Sequence, residues 1–442
     1  MSTNGRINGD AAQPFLPIVV AGGGCVGLFL ALLLTQSDIP NRVIVIEPFH
    51  PDATSTRAMA HQPLIFPLFE RAGLMGDLAQ AGTFSSGLCF RTSPRNGSKL
   101  IAGKVFREDD KAQMLLPQGK FQEILVQKVE DSGKGEVWWG WKVVGFDDQK
   151  EEVERASSVK VKIECGDEGR SEVIDAVYLV GADGAKSLVR KTLGLTFDGD
   201  TLSTALVATD IRYDFHKHGF YDANFVVDQQ DYGLIGRIDT EGLWRVSYGV
   251  PAEATEKEIR SEVEERLRRM IPDGGDSEFE VKRIAPYKAQ QRCVNRFWMG
   301  RVGVCGDAAH CEYSSAHPPI HNLDSTPRRS FLKVTNPYAG LGLASGIADA
   351  SSLAPILVRI LSGQATDEEK LLSSWSSARR QKFLTTVDKP SRAAYMRVMN
   401  NVSSEEEIQE FLEKDALVGS LNKGMPVVPP RLDTTVDELE GW

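Results

Sequence analysis

The chain has 442 residues, enough for two domains or one large elaborated one. Apolar residues make up 41% and charged residues 25%, the balance of a soluble globular protein. The net charge of −10 argues against a general affinity for nucleic acid or for anionic membranes.

The six cysteines (Cys25, Cys89, Cys165, Cys293, Cys305, Cys311) are scattered, with neither C-x-x-C nor zinc-type spacing. This disfavours a disulfide scaffold and suits a reducing, cytoplasmic compartment. The polar N-terminus lacks a signal peptide's basic region and apolar core. Glycines at 22, 23, 24 and 27 interrupt the apolar run Ile18–Leu34, so no membrane span is expected there.

In chain order, Ile18–Ala21 predicts a short buried strand, Gly22–Gly27 a turn, and Leu28–Leu34 a helix apolar nearly all round. Arg42–Glu47 (RVIVIE) predicts a second buried strand, completing a βαβ unit with two parallel strands. Residues 53–82 read as mostly helical, 84–116 as short strands and turns, and Phe121–Val129 as an amphipathic helix. Strands are expected over Glu136–Val144, Val159–Glu164 and Val173–Val180, and strand-like alternation runs through 201–250. Thr255–Met270 predicts a charged amphipathic helix, with Thr255 and Glu258 at capping-box spacing. Phe297–Cys305 leads into another buried strand. Gly340–Leu361 predicts a long helix, 367–401 further helix, and the last forty residues a peripheral tail.

Three segments carry chemistry. The first is Gly22-x-Gly24-x-x-Gly27, with Glu47 twenty residues beyond Gly27. The glycines permit a tight turn and close approach of backbone to a pyrophosphate; the helix start offers N–H groups and a positive dipole end; Glu47 would accept hydrogen bonds from a ribose. Alone, this motif does not separate FAD from NAD. The second segment is Tyr178-Leu-Val-Gly-Ala-Asp-Gly-Ala-Lys-Ser-Leu-Val-Arg190, and the third is Val302-Gly-Val-Cys-Gly-Asp-Ala-Ala-His310.

In this order, over residues 16 to about 400, the three segments resemble the class A flavoprotein monooxygenases. That family includes hydroxybenzoate, phenol and salicylate hydroxylases and many fungal secondary-metabolite hydroxylases. The resemblance implies an α/β fold: a Rossmann-like FAD-binding (GR2-type) domain with an inserted β-sheet substrate domain and C-terminal helices. The implied division is a flexible N-terminus 1–15; FAD-binding parts 16–85, 116–200 and 291–400; substrate-side strands 86–115; a substrate domain 201–290; and a tail 401–442. The resemblance assigns Gly22, Gly24, Gly27 and Glu47 to the adenosine side of FAD. Asp183 and Gly184 would serve FAD and NAD(P)H, and Asp307 the ribityl chain. Arg57 sits where the family has an Arg-Ala pair near the flavin phosphates, and Gln118 where many members carry arginine. Pro337, Gly340, Gly342 and Leu343 match the turn beside the isoalloxazine, where a helix start would face the charge of the reduced ring; Ala344 replaces the common Asn.

Between His310 and Pro337 lie 26 residues where the family has about three. The segment 311–334 has no clear helical or strand periodicity and holds three Pro, two His and Cys311. Its spacing matches no metal site, and no metal is expected. It reads best as a translated intron, since removing about 23 residues restores the family spacing; a lineage-specific loop is the alternative.

The implied activity is that of an NAD(P)H-reduced, FAD-dependent monooxygenase, using O2 to hydroxylate an aromatic or polyketide-like small molecule through a C4a-hydroperoxyflavin, in secondary metabolism. Two readings stay open beside it: an inactive or mis-spliced remnant whose insertion disrupts FAD binding, and a flavin oxidase or reductase. A phenolic substrate would be activated by a base or a nearby cation, with Tyr221, Tyr232 and Arg237 the catalytic candidates, and Tyr248 a further one.

Overall fold

The computed structural model describes residues 15–52, 55–56, 58–147, 158–166, 169–274, 276–313, 338–425 and 429–442. Arg57 and Pro337 lie outside the described residues, as does most of the segment 311–334.

The βαβ unit forms as its sequence predicts. Ile18–Ala21 pairs in parallel with Val43–Glu47 on one side and Tyr178–Gly181 on the other. All four residues of Ile18–Ala21 are buried, as suits a β-branched run covered on both faces. The crossover helix Cys25–Thr35 is apolar all round because it packs between this sheet and the long helix Gly342–Leu361. The full sheet has six strands, in the order Trp298–Met299, Val302–Val304, Tyr178–Gly181, Ile18–Ala21, Val43–Glu47, Gly135–Trp139. Only the Trp298–Met299 edge runs antiparallel.

The second layer is an eight-stranded sheet. Its order is His310–Tyr313, Glu280–Val294, Phe197–Arg212, Leu243–Pro251, Gly233–Arg237, Ala223–Val227, Gly87–Thr92, Leu100–Val105. Helix Glu256–Met270 covers one face, burying Ile259, Val263, Leu267 and Met270 against Val207, Ile235, Val246 and Tyr248. Its start is the expected capping box: Thr255 Oγ1 accepts from the Glu258 N–H and the Glu258 carboxylate from the Thr255 N–H.

Several elements depart from the sequence reading. Among the described residues of 53–82 the helices are short, Pro63–Ile65 (3-10), Phe66–Arg71 and Met75–Ala81, and Ala60–His61 is drawn into a small sheet with Met114–Leu115. The expected strand Val173–Val180 is two strands: Ser171–Ala176 joins an antiparallel sheet with Val159–Cys165, and Tyr178–Gly181 turns into the parallel sheet. The start of the long segment after His310 is itself a strand, His310–Tyr313, paired with Glu280–Val294. The C-terminal region forms helices Glu405–Lys414 and Ala416–Asn422, and Leu432 reaches the main core at 3% exposure. By length and composition Gly342–Leu361 is apolar enough to cross a membrane, but most of it is buried inside the fold.

Candidate functional site

The chemistry-bearing segments leave the parallel strands at the same end. The Ala182 N–H donates to the Ala21 carbonyl (2.7 Å) and the Cys305 N–H to the Gly181 carbonyl (2.9 Å). The first, second and third motifs therefore follow adjacent strands, at the carboxyl edge where α/β sheets bind ligands.

Each fingerprint glycine has its own reason. Gly22 has φ +108°, and a Cβ there would lie 2.4 Å from the Ala182 carbonyl oxygen. A Cβ on Gly27 would lie 2.1 Å from the Gly22 oxygen, so that glycine lets the turn fold onto its helix. Gly24 is different: nothing lies within 4 Å of its Cβ position, and it caps the helix with no side-chain hydrogen bond. That leaves an open cradle at a positive helix end. Glu47 holds the turn from below, its Oε2 accepting from the Gly23 N–H (2.8 Å) and its Oε1 from the Phe49 N–H (3.0 Å). Gln122, which sequence reasoning passed over, donates to the Gly23 carbonyl at 2.9 Å.

In the second motif Asp183 Oδ2 accepts from the Leu188 and Val189 N–H groups at 2.7 and 3.2 Å. Its Oδ1 is buried with no hydrogen-bond partner among the described residues. Burial raises the Asp183 carboxyl above the usual range despite these hydrogen bonds. Gly184 has φ +77° and open space at its Cβ. Arg190 ends the motif and ties it to the third: its Nη2 donates to the Ala185 carbonyl (2.7 Å) and its Nη1 to the Ala308 carbonyl (2.9 Å).

The third motif is a 3-10 turn, Gly306–Ala308, in which Asp307 is half-buried. Although 32 residues separate Asp307 from Gly340 in sequence, the two flanks meet. The Gly306 N–H donates to Asp349 Oδ2 at 2.9 Å, and a Cβ on Gly346 would lie 3.1 Å from Gly306 Cα. Gly340 has φ +63° and faces the Gln62 amide, and Gly342 begins the long helix, with Leu343 half-buried in its first turn. Asp349 is fully buried and bound to His310 and Arg379. Burial opposes its ionisation, yet these two partners hold its carboxyl below the usual range. Neither His310 nor Arg379 was singled out from the sequence; His310 stood in a quoted motif, while Arg379 had no local signal. Gln118 is buried and accepts from the Ala58 N–H at 3.3 Å, so it braces the segment flanking Arg57.

The three catalytic candidates do not converge. Strand alternation puts Leu206, Ala208, Asp210, Arg245, Ser247, Leu234 and Gly236 on the sheet face opposite helix Glu256–Met270. Leu206 and Leu234 meet Tyr232, Tyr338 and Tyr395 there. Tyr232 belongs to this face, bonded to Thr204 Oγ1 at 2.9 Å, and burial pushes its phenol well above the usual range. Arg237 has the opposite parity and binds the Asp239 carbonyl (2.7 Å) and Asp222 (3.4 Å). Tyr221 packs over Gly87 and Gly103, beside Asp222 at the same strand end as Arg237. Tyr248 faces the helix. Sequence alone missed Ser247, 1% exposed, whose Oγ has no hydrogen-bond partner among the described residues. It also missed Asp210, held by Arg245 (2.8 Å), Arg283 (3.5 Å) and Thr56 (2.6 Å).

Taken together, the strand-end motifs and the facing sheet define a dinucleotide-binding flavoprotein of the α/β class. The residues fit FAD: an open glycine cradle, a helix start without a side-chain cap and an Asp183 oxygen without a hydrogen-bond partner among the described residues all lie in the segments that directly follow two adjacent parallel strands. A family profile described as "FAD binding domain" matches residues 16–321. The chain belongs to that family and is an FAD-dependent monooxygenase. It is 34% identical to para-nitrophenol 4-monooxygenase of Pseudomonas sp. (strain WBC-3), over 83% of each chain. It is 28% identical to 6-hydroxy-3-succinoylpyridine 3-monooxygenase of Pseudomonas putida, covering 84% of this chain and 86% of that one. Among solved structures, p-nitrophenol 4-monooxygenase from Pseudomonas putida DLL-E4 superposes with a TM-score of 0.77 at 29% identity, covering 92% of this chain and 96% of that one.

Proposed function

We propose that the chain hydroxylates a small phenolic molecule, taking electrons from NAD(P)H and oxygen from O2. The observation that carries the reading is the sheet face of Leu206, Ala208, Leu234 and Ser247, which meets Tyr338 two residues before the Gly340 turn. A floor of small and apolar side chains there suits a flat ring lying against the flavin. Bound FAD, once reduced, supplies with O2 the electrophilic oxygen that the ring accepts.

The chain's own residues do the rest. Gly22, Gly24, Gly27 and Glu47 hold the adenosine end, with Arg57 and Gln118 on the phosphate side. Asp183 and Gly184 serve FAD and NAD(P)H. Asp307, Pro337, Gly340, Gly342 and Leu343 hold the ribityl chain and ring. Ser247 offers a buried hydroxyl to a substrate oxygen. At one end of the same face, two guanidiniums, Arg245 and Arg283, both pair with the carboxylate of Asp210, a cation-rich arrangement that favours a phenolate. An ionised ring oxygen pushes electron density into the ring, which promotes attack on an electrophile. Tyr232 stays protonated at neutral pH and acts as a hydrogen-bond group on this face, not as a base. Tyr221 and Arg237 are the less favoured of the catalytic candidates, because Arg237 has the parity of the helix-covered face and Tyr221 packs over Gly87 and Gly103. A cytoplasmic location is supported by the buried cysteines Cys89, Cys165, Cys293 and Cys305, which form no disulfide among the described residues.

The test is purified protein supplied with NAD(P)H, 18O2 and a panel of phenols. The reading expects a yellow protein, phenol-dependent NAD(P)H oxidation, and one labelled oxygen in the product. Oxidation that ignores every phenol and yields only hydrogen peroxide would instead indicate an oxidase.

A further inference from the structure

One guanidinium joins the C-terminal segment to the turn that carries Asp307. Arg379, on helix Glu368–Lys382, is 1% exposed. Its Nε donates to Asp349 Oδ1 at 2.8 Å, and its Nη2 lies 2.7 Å from the same oxygen. Its Nη1 donates to the Leu432 carbonyl at 2.6 Å and to Thr434 Oγ1 at 3.0 Å. Asp349 commits its other oxygen to the Gly306 N–H (2.9 Å) and to His310 Nε2 (2.5 Å). Gly306 directly precedes Asp307, and the His310 ring is stacked on Phe383, with centroids 5.0 Å apart.

We propose that Arg379 is a positioning residue for the flavin-binding turn at Asp307, and that residues 432–434 are its anchor. The proposal rests on the FAD assignment and adds the C-terminal segment to the cofactor site. Arg379, Asp349 and His310 are all buried, so water does not screen or replace their bonds. A planar guanidinium has a fixed fork of donors, and satisfying both sides of the fork fixes its orientation. Without Leu432 and Thr434, buried N–H groups would lose their acceptors, and the group would reorient to find others. Asp349 would then lose the partner that fixes its carboxylate, and the Gly306 N–H would lose a fixed acceptor.

The same segment is also held by contacts outside this network, which supply a control. Lys382 pairs with Glu438 at 2.8 Å, and that pair touches neither Asp349 nor Gly306.

The test uses full-length Arg379→Lys, Thr434→Val and Lys382→Ala. It reads the FAD dissociation constant, the visible circular dichroism of bound flavin, and the Tm of the FAD-free protein. A lysine ammonium is one point donor and cannot span both Asp349 and the 432–434 acceptors. Arg379→Lys is therefore expected to weaken FAD about tenfold and to alter the dichroism. Thr434→Val leaves every charge in place; it is expected to weaken FAD about threefold with the same spectral change, and it carries the test if Arg379→Lys does not fold. Lys382→Ala is expected to leave FAD affinity and dichroism at parental values. The proposal is overturned if Thr434→Val behaves like Lys382→Ala, with parental FAD affinity and dichroism, whatever happens to Tm. A parent chain that takes up no FAD overturns the cofactor assignment itself, and the positioning role with it.

Discussion

Gly22 and Gly24 are two residues apart, and an added methyl group meets different things at each. At Gly22 it strikes the Ala182 carbonyl in a backbone with positive φ, so Gly22→Ala strains the fold as well as the site. At Gly24 it meets empty space. Gly24→Ala is therefore expected to leave the Tm of the FAD-free protein near the parent's while weakening FAD at least about tenfold, because we propose that this space is taken by the pyrophosphate. Calorimetry on FAD-free protein and flavin titration separate the two effects. A Gly24→Ala protein that binds FAD as the parent does would remove the cradle from the site.

Asp349 gives a pH prediction at the same scale. Its carboxyl is held below the usual range in the folded state by His310 and Arg379, against burial. A depressed folded pKa contributes stability that is present above the unfolded value near pH 4 and is lost as pH falls through the folded value. Asp349→Asn, which cannot ionise, is expected to cost about 3 kcal/mol at pH 7, as breaking a buried pair does, with the deficit narrowing below about pH 4. Urea unfolding of parent and variant from pH 7 to pH 3 measures it; a deficit constant across that range would mean that ionisation of Asp349 contributes nothing.

Helix Glu256–Met270 and the long helix Gly342–Leu361 play opposite parts. The first covers the sheet face opposite the proposed substrate face; the second begins at Gly342, in the turn proposed to hold the flavin ring. Loss of packing under the first should therefore register in stability and not in cofactor binding. Leu267 is fully buried there. Leu267→Ala is expected to cost about 3 kcal/mol in denaturant unfolding, the usual range for a buried leucine, with FAD affinity within about twofold of the parent. A large loss of FAD affinity in a variant that remains folded would show that the two faces of the sheet are coupled.

At the scale of the whole molecule, the proposed cofactor site is assembled from parts far apart in the chain. Gly306 and Asp349 bond across the segment that the sequence reading treated as an insertion, so the flanks are already in register with that segment present. The full-length chain is accordingly expected to bind FAD. A variant lacking residues 311–333 supplies the comparison: a colourless parent beside a yellow deletion variant would mean that the segment obstructs the site.

Much of the cofactor half was legible in the sequence, because its signals are local. A βαβ unit, a glycine turn and a carboxylate at a set spacing are read along one stretch of chain, and the backbone geometry they require leaves few alternatives. The same holds for Tyr178–Gly181 with Asp183, and for Val302–Val304 with Asp307. What spacing could not supply is the partner across space. Strand parity, not residue type, put Tyr232 on the face opposite helix Glu256–Met270 and Arg237 on the other, and parity is fixed only once the strands pair. Ser247 and the Asp210 cluster became visible for the same reason. Arg379 and Thr434 had no local signal, since their meaning depends on a carboxylate carried by another helix. The sequence by itself determined the family, the cofactor and the order of the motifs, because those rest on short-range backbone constraints. Only the tertiary structure decided which side chains share a face and which buried charges are paired, because burial and strand registry are properties of the packed chain and not of any segment of it.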